Sequence, residues 1–255
     1  MRLDVYLQEK GFFESRTKAQ QAIERGEIFI NDEMVKKSSI EINDCVEHDI
    51  RHVCQVKFVS LGGYKLNKAI KDFKFNCENL IVADVGASTG GFTDCLLKQN
   101  VKKVYAVDLN DTLLHASLKN NDKVKMIVKN ARNLTRLDFD EDLDLIVADL
   151  SFISVTYVLD TFSKLLKSGK HLIILIKPQF ELNEKVKLKN GIVKDKKMQL
   201  KICKKVFDYA KEVGLTPINF TNAPINDGKN LEFLMLLEKN CNDSAKKEIV
   251  EFIKF

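Results

Sequence analysis

The sequence predicts an α/β protein: a Rossmann-like, doubly wound sheet of seven strands with an antiparallel last strand, preceded by a small α+β domain. Three observations support this fold class. From Leu80 onward, short aliphatic runs alternate with stretches of helical periodicity. A glycine-rich segment at 84–94 joins the first of these runs to the first helical stretch. The last two runs are separated by a link too short for a helical crossover.

The sheet domain is predicted to contain strands and helices in alternation. The strands are expected at 80–85, 103–107, 124–128, 143–148, 171–176, 216–220 and 231–237. The helices are expected at 92–99, 111–119, 154–167 and 196–213. Asn226-Asp227-Gly228 lies between the last two strands and has the composition of a tight turn. The final strand should therefore run antiparallel to its neighbour.

Residues 1–59 form a predicted domain of their own, with two short helices and a β-turn-β segment. The first helix should end near Gly11, and the second should begin after the N-cap residue Ser15 and stop at Gly26. Residues 31–33 have a turn composition between two apolar runs. The remaining boundaries are a linker with a first helix at 60–79, the sheet domain at 80–240 and a C-terminal tail helix at 241–255.

Composition limits the class of protein. The chain has 255 residues, enough for one large domain and a small one, and its hydrophobic fraction of 45% is ordinary for a globular protein. No apolar run approaches the roughly 20 residues needed to span a membrane, and the N-terminus lacks the pattern of a signal peptide. The six cysteines include no C-x-x-C pair. We therefore expect reduced thiols, no metal site and a cytoplasmic location.

The glycine-rich segment resembles three known kinds of site and meets the requirements of none of them. It has the glycine spacing of a P-loop, but Phe92 stands where a P-loop has its phosphate-binding lysine. The pattern G-x-S-x-G beginning at Gly86 fits a hydrolase elbow. The histidine that would complete a hydrolase triad is missing, because His171 opens an apolar run and is expected at a strand edge. A dinucleotide fingerprint fails because Ser88 replaces its second glycine.

The remaining interpretation is a site for S-adenosylmethionine, a donor that has no phosphate groups. Such a site needs a carboxylate for the ammonium group and an acid for the ribose hydroxyls. Asp84 lies near the end of the first predicted strand, and Asp108 ends the next one. Asp108 could also cap the helix that follows it, and the two roles are compatible. The predicted donor-binding residues are Asp84, Gly86, Ala87, Ser88, Gly90, Gly91, Phe92, Asp108, Leu109, Asn130 and Ala131.

The net charge of +5 is unevenly distributed along the chain. Residues 1–60 contain 9 Lys or Arg against 11 Asp or Glu, whereas residues 177–205 contain 10 lysines against 3 acids. A solvated helix face could have such a composition. A cluster of this density can also neutralise several phosphates, so we expect a nucleic-acid partner.

Four charged residues are expected to meet at one edge of the sheet. Asp149 ends the fourth predicted strand and Lys177 ends the fifth. Glu232 lies at the start of the last strand, and Lys65 comes just before the sheet domain. A partly desolvated lysine beside another cation loses its proton more readily. The cluster therefore suits deprotonation of a hydroxyl group that attacks a methyl group, although each residue alone could be a helix cap or part of the lysine run.

Three short motifs occupy the N-terminal domain: R-L-D-x-x-L from Arg2, S-R-x-x-A from Ser15 and I-x-x-G-x-I-x-x-N from Ile23. With these motifs the segment resembles the S4 RNA-binding domain. Asp32-Glu33 departs from the family, which commonly has a glycine in this turn. The resemblance implies an RNA partner, and basic side chains are the expected phosphate contacts. The predicted RNA contacts are Arg2, Arg16, Lys18, Lys36, Lys37, Lys185, Lys187 and Lys189.

The sheet domain carries further motifs besides the glycine loop: A-D-L-S-F at 148–152, I-K-P-Q-F-E at 176–181 and N-L-E-F-L at 230–234. Together they resemble the TlyA family, S4-domain ribosomal RNA 2′-O-methyltransferases historically labelled haemolysins. The catalytic domain of that family is similar to the FtsJ-type ribose methyltransferases. The resemblance covers the chain from Arg2 to about Leu237. It implies S-adenosylmethionine as cofactor and ribosomal RNA as substrate.

The resemblance also implies a Lys-Asp-Lys-Glu catalytic tetrad. By motif it falls on Lys65, Asp149, Lys177 and Glu232, with Lys177 as the base and the other three orienting it and the ribose. The length of the N-terminus favours the family form restricted to the large subunit, with a cytidine of 23S rRNA as target. We expect a monomer. The alternative is a non-enzymatic RNA-binding or haemolysin-type protein, although no signal, membrane span or long amphipathic helix in the sequence supports the latter.

Overall fold

The computed structural model describes residues 1–31, 33–43, 45–46, 48–52, 58–182, 191–224 and 230–240. The chain divides into two compact units, Met1–Lys57 and Phe58–Phe255. Each unit has a hydrophobic core of its own.

The first unit contains two helices and a three-stranded antiparallel sheet of order β2-β1-β3. Its elements are α1 (Leu3–Glu9), α2 (Arg16–Glu24), β1 (Ile28–Ile30), β2 (Glu33–Val35) and β3 (Ile50–His52). Helix α2 begins where predicted, because the Ser15 hydroxyl accepts a hydrogen bond from the N–H of Lys18 at 3.3 Å. Leu7, Ile23 and Ile28 are fully buried in its core. The third strand was not predicted, because a segment with one apolar residue has no alternating pattern to detect.

The second unit is built on a seven-stranded sheet of order β6-β5-β4-β7-β8-β10-β9. Its strands are β4 (Ile81–Val85), β5 (Lys103–Asp108), β6 (Val124–Val128), β7 (Leu145–Ala148), β8 (His171–Ile176), β9 (Leu215–Asn222) and β10 (Phe233–Lys239). Strand β10 runs antiparallel to both β8 and β9, whereas the other neighbouring pairs are parallel. The predicted sheet with a reversed last strand is confirmed.

Both faces of this sheet are covered by helices. These are α3 (Leu61–Phe73), α4 (Gly91–Leu97), α5 (Ala116–Lys119), α6 (Thr156–Leu165), α7 (Pro178–Glu181) and α8 (Lys196–Glu212). Strand β7 contributes side chains to a hydrophobic core on each face of the sheet. Leu145 and Val147 belong to the core that includes α3 and α4, whereas Ile146 belongs to the core that includes α6 and α8. Successive strand residues point to opposite faces, so a strand buried on both sides reads as a continuous apolar run.

Two helices differ from the sequence prediction. The helix expected at 111–119 is limited to α5. The preceding segment forms other hydrogen bonds: the Asn110 side chain accepts from the N–H of Thr112, and the N–H of His115 donates to the carbonyl of Thr89 in the glycine loop. Helix α7 was not predicted; its first residue is Pro178, whose ring favours the first turn of a helix. Among the described helices, none is long and apolar enough to cross a membrane.

Candidate active site

The glycine-rich loop between β4 and α4 is pressed against the ends of the neighbouring strands. The N–H groups of Gly86 and Ala87 both donate to the carbonyl of Val107, at 2.8 and 3.1 Å. A Cβ atom on Gly86 would lie 2.5 Å from the backbone oxygen of Asp149, and Gly86 has a φ of +86°. Only glycine accommodates both the conformation and the close approach.

The start of α4 lies in direct contact with the start of α3. A Cβ on Gly91 would lie 2.2 Å from the Ser60 hydroxyl oxygen and 2.9 Å from the backbone nitrogen of Gly63. The two backbones approach this closely because neither glycine has a side chain. The contact places the first turn of α3 beside the glycine loop, and Lys65 follows in the same helix.

An open cleft lies between the loop and the carboxyl ends of β7 and β8. Its lining comprises Gly86, Ala87, Ser88, Thr89, Gly91 and Phe92 of the loop, Ser60 and Gly62 at the start of α3, and Asp149, Ser151 and Lys177. Phe92 is only 3% exposed and packs in the core, next to Gly62. The loop therefore contributes no cationic side chain to the cleft, as expected for a donor without phosphates.

Asp108 ends β5 beside the loop, where its carboxylate is half-buried. One carboxylate oxygen accepts the N–H of Ser88 at 2.7 Å, and the other accepts the N–H of Leu109 at 2.7 Å. Each oxygen has a second lone pair, so the carboxylate can still accept hydrogen bonds from ribose hydroxyls. Asp108 does not cap α5, whose N-cap is His115.

Asp84 lies beneath the loop rather than in the lining of the cleft. Its carboxylate is fully buried, and one oxygen accepts the hydroxyl of Thr93 at 2.6 Å. The other oxygen has no partner among the described residues. Burial raises the pKa of Asp84 to about 7, against the opposing effect of the Thr93 hydrogen bond. From the sequence we expected Asp84 to contact the donor's ammonium group. In the structure its carboxylate does not line the cleft, so this contact stays a prediction.

The other predicted donor contacts lie at the same edge of the sheet but outside the lining of the cleft. Leu109 is 68% exposed after β5. The Asn130 side chain accepts the N–H of Arg132 at 3.0 Å and caps a short 3-10 helix, Ala131–Asn133. Their role in donor binding stays a prediction.

The structure brings the four predicted tetrad residues together in one chain of ion pairs. Lys177 Nζ lies 2.6 Å from Asp149 Oδ1, and Lys65 Nζ lies 3.9 Å from Asp149 Oδ2. Lys65 Nζ also lies 2.6 Å from Glu232 Oε2. The four side chains are mostly buried, with exposed fractions between 10% and 19%. Two positive and two negative charges therefore compensate one another at the rim of the cleft.

Each tetrad residue comes from a different element. Asp149 follows β7, Lys177 follows β8, and Glu232 immediately precedes the reversed strand β10. Parallel strands end, and an antiparallel strand begins, at the same edge of a sheet, which is why these three residues meet. Lys65 reaches them from α3.

Ser151 and Phe152 also belong to this region and were not predicted as site residues. The hydroxyl of Ser151 accepts a hydrogen bond from Lys177 Nζ at 2.7 Å. Phe152 is 87% exposed with a φ of +67°, an unfavourable conformation for a bulky residue. Its ring lies 5.2 Å from the ring of Phe180, between centroids. The signals in the sequence were their place in the motif A-D-L-S-F at 148–152 and their position shortly after β7.

Comparison with known protein families identifies this arrangement. A family model described as FtsJ-like methyltransferase matches residues 58–239, and a model described as S4 domain matches residues 1–46. The chain belongs to the FtsJ-like methyltransferase family. It is therefore an enzyme, and S-adenosylmethionine is its methyl donor.

Relatives of this methyltransferase extend the match to nearly the full chain. Hemolysin A of Brachyspira hyodysenteriae is 39% identical over 237 residues, covering 92% of this chain and 98% of that protein. The 16S/23S rRNA (cytidine-2′-O)-methyltransferase TlyA of Mycobacterium tuberculosis is 30% identical, with coverage of 98% and 94%. The 23S rRNA (cytidine-2′-O)-methyltransferase TlyA of Campylobacter jejuni is 31% identical, with coverage of 79% and 84%. The resemblance to the TlyA family is confirmed.

A solved structure of a Streptococcus thermophilus protein has the same fold as the methyltransferase. Its TM-score is 0.72 at 34% identity, over 96% of this chain and 91% of that one. The cleft fits S-adenosylmethionine: the loop residue Gly86 lines it without a side chain, and Asp108 beside the loop offers acceptors to ribose hydroxyls. These residues, with the backbone of Ala87 and Ser88, would hold the donor.

The predicted RNA contacts of the methyltransferase differ in their surroundings. Arg2 and Arg16 both donate to Asp4, a carboxylate that is fully buried, at distances between 2.8 and 3.1 Å. Both arginine side chains remain nearly half exposed. Lys18 pairs with Glu14.

The remaining predicted RNA contacts are five lysines. Lys36 and Lys37 are exposed. Lys185, Lys187 and Lys189 lie outside the described residues. For all eight basic residues, a contact with RNA stays a prediction.

Proposed function

We propose that this methyltransferase acts on a ribose 2′-hydroxyl of ribosomal RNA. The observation that carries the proposal is the chain of ion pairs from Lys177 through Asp149 and Lys65 to Glu232. A ribose hydroxyl is a weak nucleophile until its proton is removed, so the reaction needs a base beside the donor. Lys177 lines the donor cleft and is only 8% exposed. It is the side chain best placed to serve as that base.

The residues around Lys177 fix the position of its amine. Asp149 holds Nζ at 2.6 Å and Ser151 holds it at 2.7 Å from a second direction. Lys65, itself held by Glu232, stands at 3.9 Å from the other oxygen of Asp149 and so restrains rotation of that carboxylate. The arrangement holds the base in place, and the carboxylate of Asp149 can pair with the positive charge that the base gains.

The proton transfer follows from this geometry. When bound, S-adenosylmethionine supplies a methyl group on a positively charged sulfur, and the remaining thioether is neutral. After Lys177 has released its own proton to solvent, its amine would accept the proton of the ribose hydroxyl and so leave the oxygen able to attack a methyl group. Asp149 stabilises the resulting ammonium group at hydrogen-bond distance.

The exposed ring of Phe152 supports a nucleotide as the acceptor. An aromatic side chain at the surface offers a stacking face to an unpaired base, and such stacking needs no particular base sequence. The ring follows Asp149 by three residues and contacts Phe180, which follows Lys177 by three residues. A base stacked on Phe152 would keep its ribose near the tetrad.

The S4 domain and the named relatives support ribosomal RNA as the substrate. Two relatives carry names that specify the 2′-hydroxyl of cytidine, and 23S rRNA is common to both names. We therefore extend the proposal to a cytidine of 23S rRNA. The enzyme would act as a monomer on the large subunit in the cytoplasm, with Arg2 and Arg16 among its phosphate contacts.

The test is methyl transfer to defined ribosomal RNA. Purified protein and S-adenosylmethionine with a labelled methyl group are incubated with 23S rRNA, 16S rRNA and large subunits that lack the modification. Mass spectrometry of nuclease fragments then locates the label. We expect one 2′-O-methylcytidine in 23S rRNA. Label on a base, on 16S rRNA alone, or on neither RNA would contradict the proposal.

A further inference from the structure

We infer that Glu181 is a positioning residue, which holds the base Lys177 in register with Asp149 by joining the two loops that carry them. The inference rests on the proposed function, because it concerns the base of that reaction. Glu181 is the last residue of α7, four residues after Lys177, and is only 3% exposed. It lies outside the lining of the cleft, so it would act through the tetrad and not on the substrate.

The two contacts of the Glu181 carboxylate lie on the other loop. One oxygen accepts the N–H of Val155 at 2.8 Å, and the second accepts the hydroxyl of Ser154. Both partners follow Asp149 in the segment that leads from β7 into α6. Val155 is the N-cap residue of α6, so a carboxylate distant in sequence takes up a backbone N–H at the start of that helix. A single side chain therefore links the segment after β8 to the segment after β7.

Burying the carboxylate of Glu181 costs free energy, and this cost favours a specific role for the residue. Burial raises the pKa of Glu181, while its hydrogen bonds from Ser154 and Val155 oppose that rise. Among the described residues, its carboxylate contacts are a hydroxyl and an N–H group, whereas the nearby amine of Lys205 donates to its backbone carbonyl at 3.4 Å. A buried carboxylate held by neutral donors is weak as a stabilising element. Its effect is to fix geometry.

The link through Glu181 fixes the geometry of two residue pairs, one charged and one aromatic. Lys177 and Asp149 form their ion pair at 2.6 Å from separate loops, and any sliding of one loop against the other lengthens that distance. The same two loops carry Phe180 and Phe152, whose rings meet at 5.2 Å. Loss of the Glu181 link should therefore displace the base and the proposed stacking face together.

The experiment compares Glu181→Ala, Glu181→Gln and Ser154→Ala with a matched control, Asp144→Ala. Asp144 accepts the N–H of Ile81 at 2.9 Å and pairs with a lysine at the opposite end of β7 and β8. In Glu181→Gln the amide oxygen can still accept from Val155 and the amide nitrogen can donate to Ser154. We measure kcat and KM for methyl transfer to 23S rRNA, and native-state hydrogen exchange by mass spectrometry as a readout independent of activity.

We expect Glu181→Ala to lower kcat by about 10- to 100-fold, the effect of a misplacement near 1 Å, with the KM for S-adenosylmethionine within about threefold. Exchange should accelerate in peptides covering 149–155 and 176–182. Glu181→Gln should restore both properties, and Ser154→Ala, which keeps the bond to Val155, should give a smaller effect that can be measured even if Glu181→Ala does not fold. Asp144→Ala should lower stability and leave kcat unchanged.

Three results would overturn the inference: wild-type kcat in Glu181→Ala, a Glu181→Gln variant as impaired as Glu181→Ala, or a kcat loss in Asp144→Ala as large as that in Glu181→Ala. If the wild-type protein does not methylate 23S rRNA, the proposed function fails. The exchange data still decide the inference in that case, because unchanged exchange at 149–155 and 176–182 in Glu181→Ala would show that no link was lost.

Discussion

Replacing Lys177 by arginine separates the charge of this residue from its ability to accept a proton. Arginine keeps a positive charge that can pair with Asp149, but its guanidinium does not lose a proton in proteins. If Lys177 only balances the charge of Asp149, the variant should be active. If Lys177 is the base, the variant should lose activity while it still binds S-adenosylmethionine.

The size of the loss follows from the contacts of the amine. Lys177 Nζ is fixed by Asp149 at 2.6 Å and by Ser151 at 2.7 Å, so no other amine among the described residues can take its place without breaking these contacts. General-base catalysis contributes about 10²- to 10⁴-fold, which corresponds to roughly 3–5 kcal/mol in the activation free energy. We expect Lys177→Arg and Lys177→Ala both to lose at least about a hundredfold in kcat.

The assay is single-turnover methyl transfer to 23S rRNA, with donor affinity measured separately by calorimetry. The control is Lys170→Arg: Lys170 pairs with Asp144 at 2.7 Å and occupies the opposite end of the same two strands. It should retain wild-type rates. A Lys177→Arg variant with more than about a tenth of the wild-type rate would refute the assignment of the base.

Three further predictions concern the neighbouring residues. Burial raises the pKa of Asp84 to about 7 in the folded protein, whereas in the unfolded chain it is near 4. Because the folded state holds this proton more tightly, the contribution of Asp84 to stability is fully present below about pH 4 and is lost as the pH rises through 7. Urea unfolding between pH 5 and 8 should therefore show a decline of up to about 1.4 kcal/mol per pH unit in the wild type that is reduced in Asp84→Asn; equal declines would contradict the burial effect. Asp108→Asn removes an acceptor for the Ser88 N–H and should weaken S-adenosylmethionine binding by about tenfold or more in calorimetry. Phe152→Ala should weaken RNA binding by about 5- to 100-fold without lowering the melting temperature, since the ring is 87% exposed; an unchanged RNA affinity would exclude the stacking role.

The fold could be predicted because the central strands are buried on both faces. Residues 145–148 are all buried, so the apolar run is continuous and its limits are visible in the sequence. The helix expected at 111–119 was predicted too long, because its limit depends on a contact distant in the chain. Helix α5 is short because the N–H of His115 bonds to Thr89 in the glycine loop, and no local pattern records such a bond.

The candidate site was accessible from sequence for a different reason. Asp149 and Lys177 follow parallel strands, and the carboxyl ends of such strands lie at one edge, so their proximity follows from topology alone. Lys65 sits on a helix before the sheet, so its place in the cluster does not follow from strand topology, and its role was indicated by the resemblance to a family. A position near the end of a strand does not by itself place a side chain in the cleft: Asp84 lies near the end of β4, but its carboxylate is fully buried below the loop. The partners of Ser151 and Glu181 are distant in sequence, so no spacing could reveal them.

The reversed last strand has a consequence for the order in which the enzyme becomes active. Strand β10 is inserted between β8 and the edge strand β9, although it follows both in the chain. While the protein is being synthesised, β9 has no neighbour to pair with until β10 has left the exit tunnel. Glu232, one residue before β10, completes the tetrad at the same moment. A partly made chain therefore contains the glycine loop before Glu232 can complete the proposed tetrad.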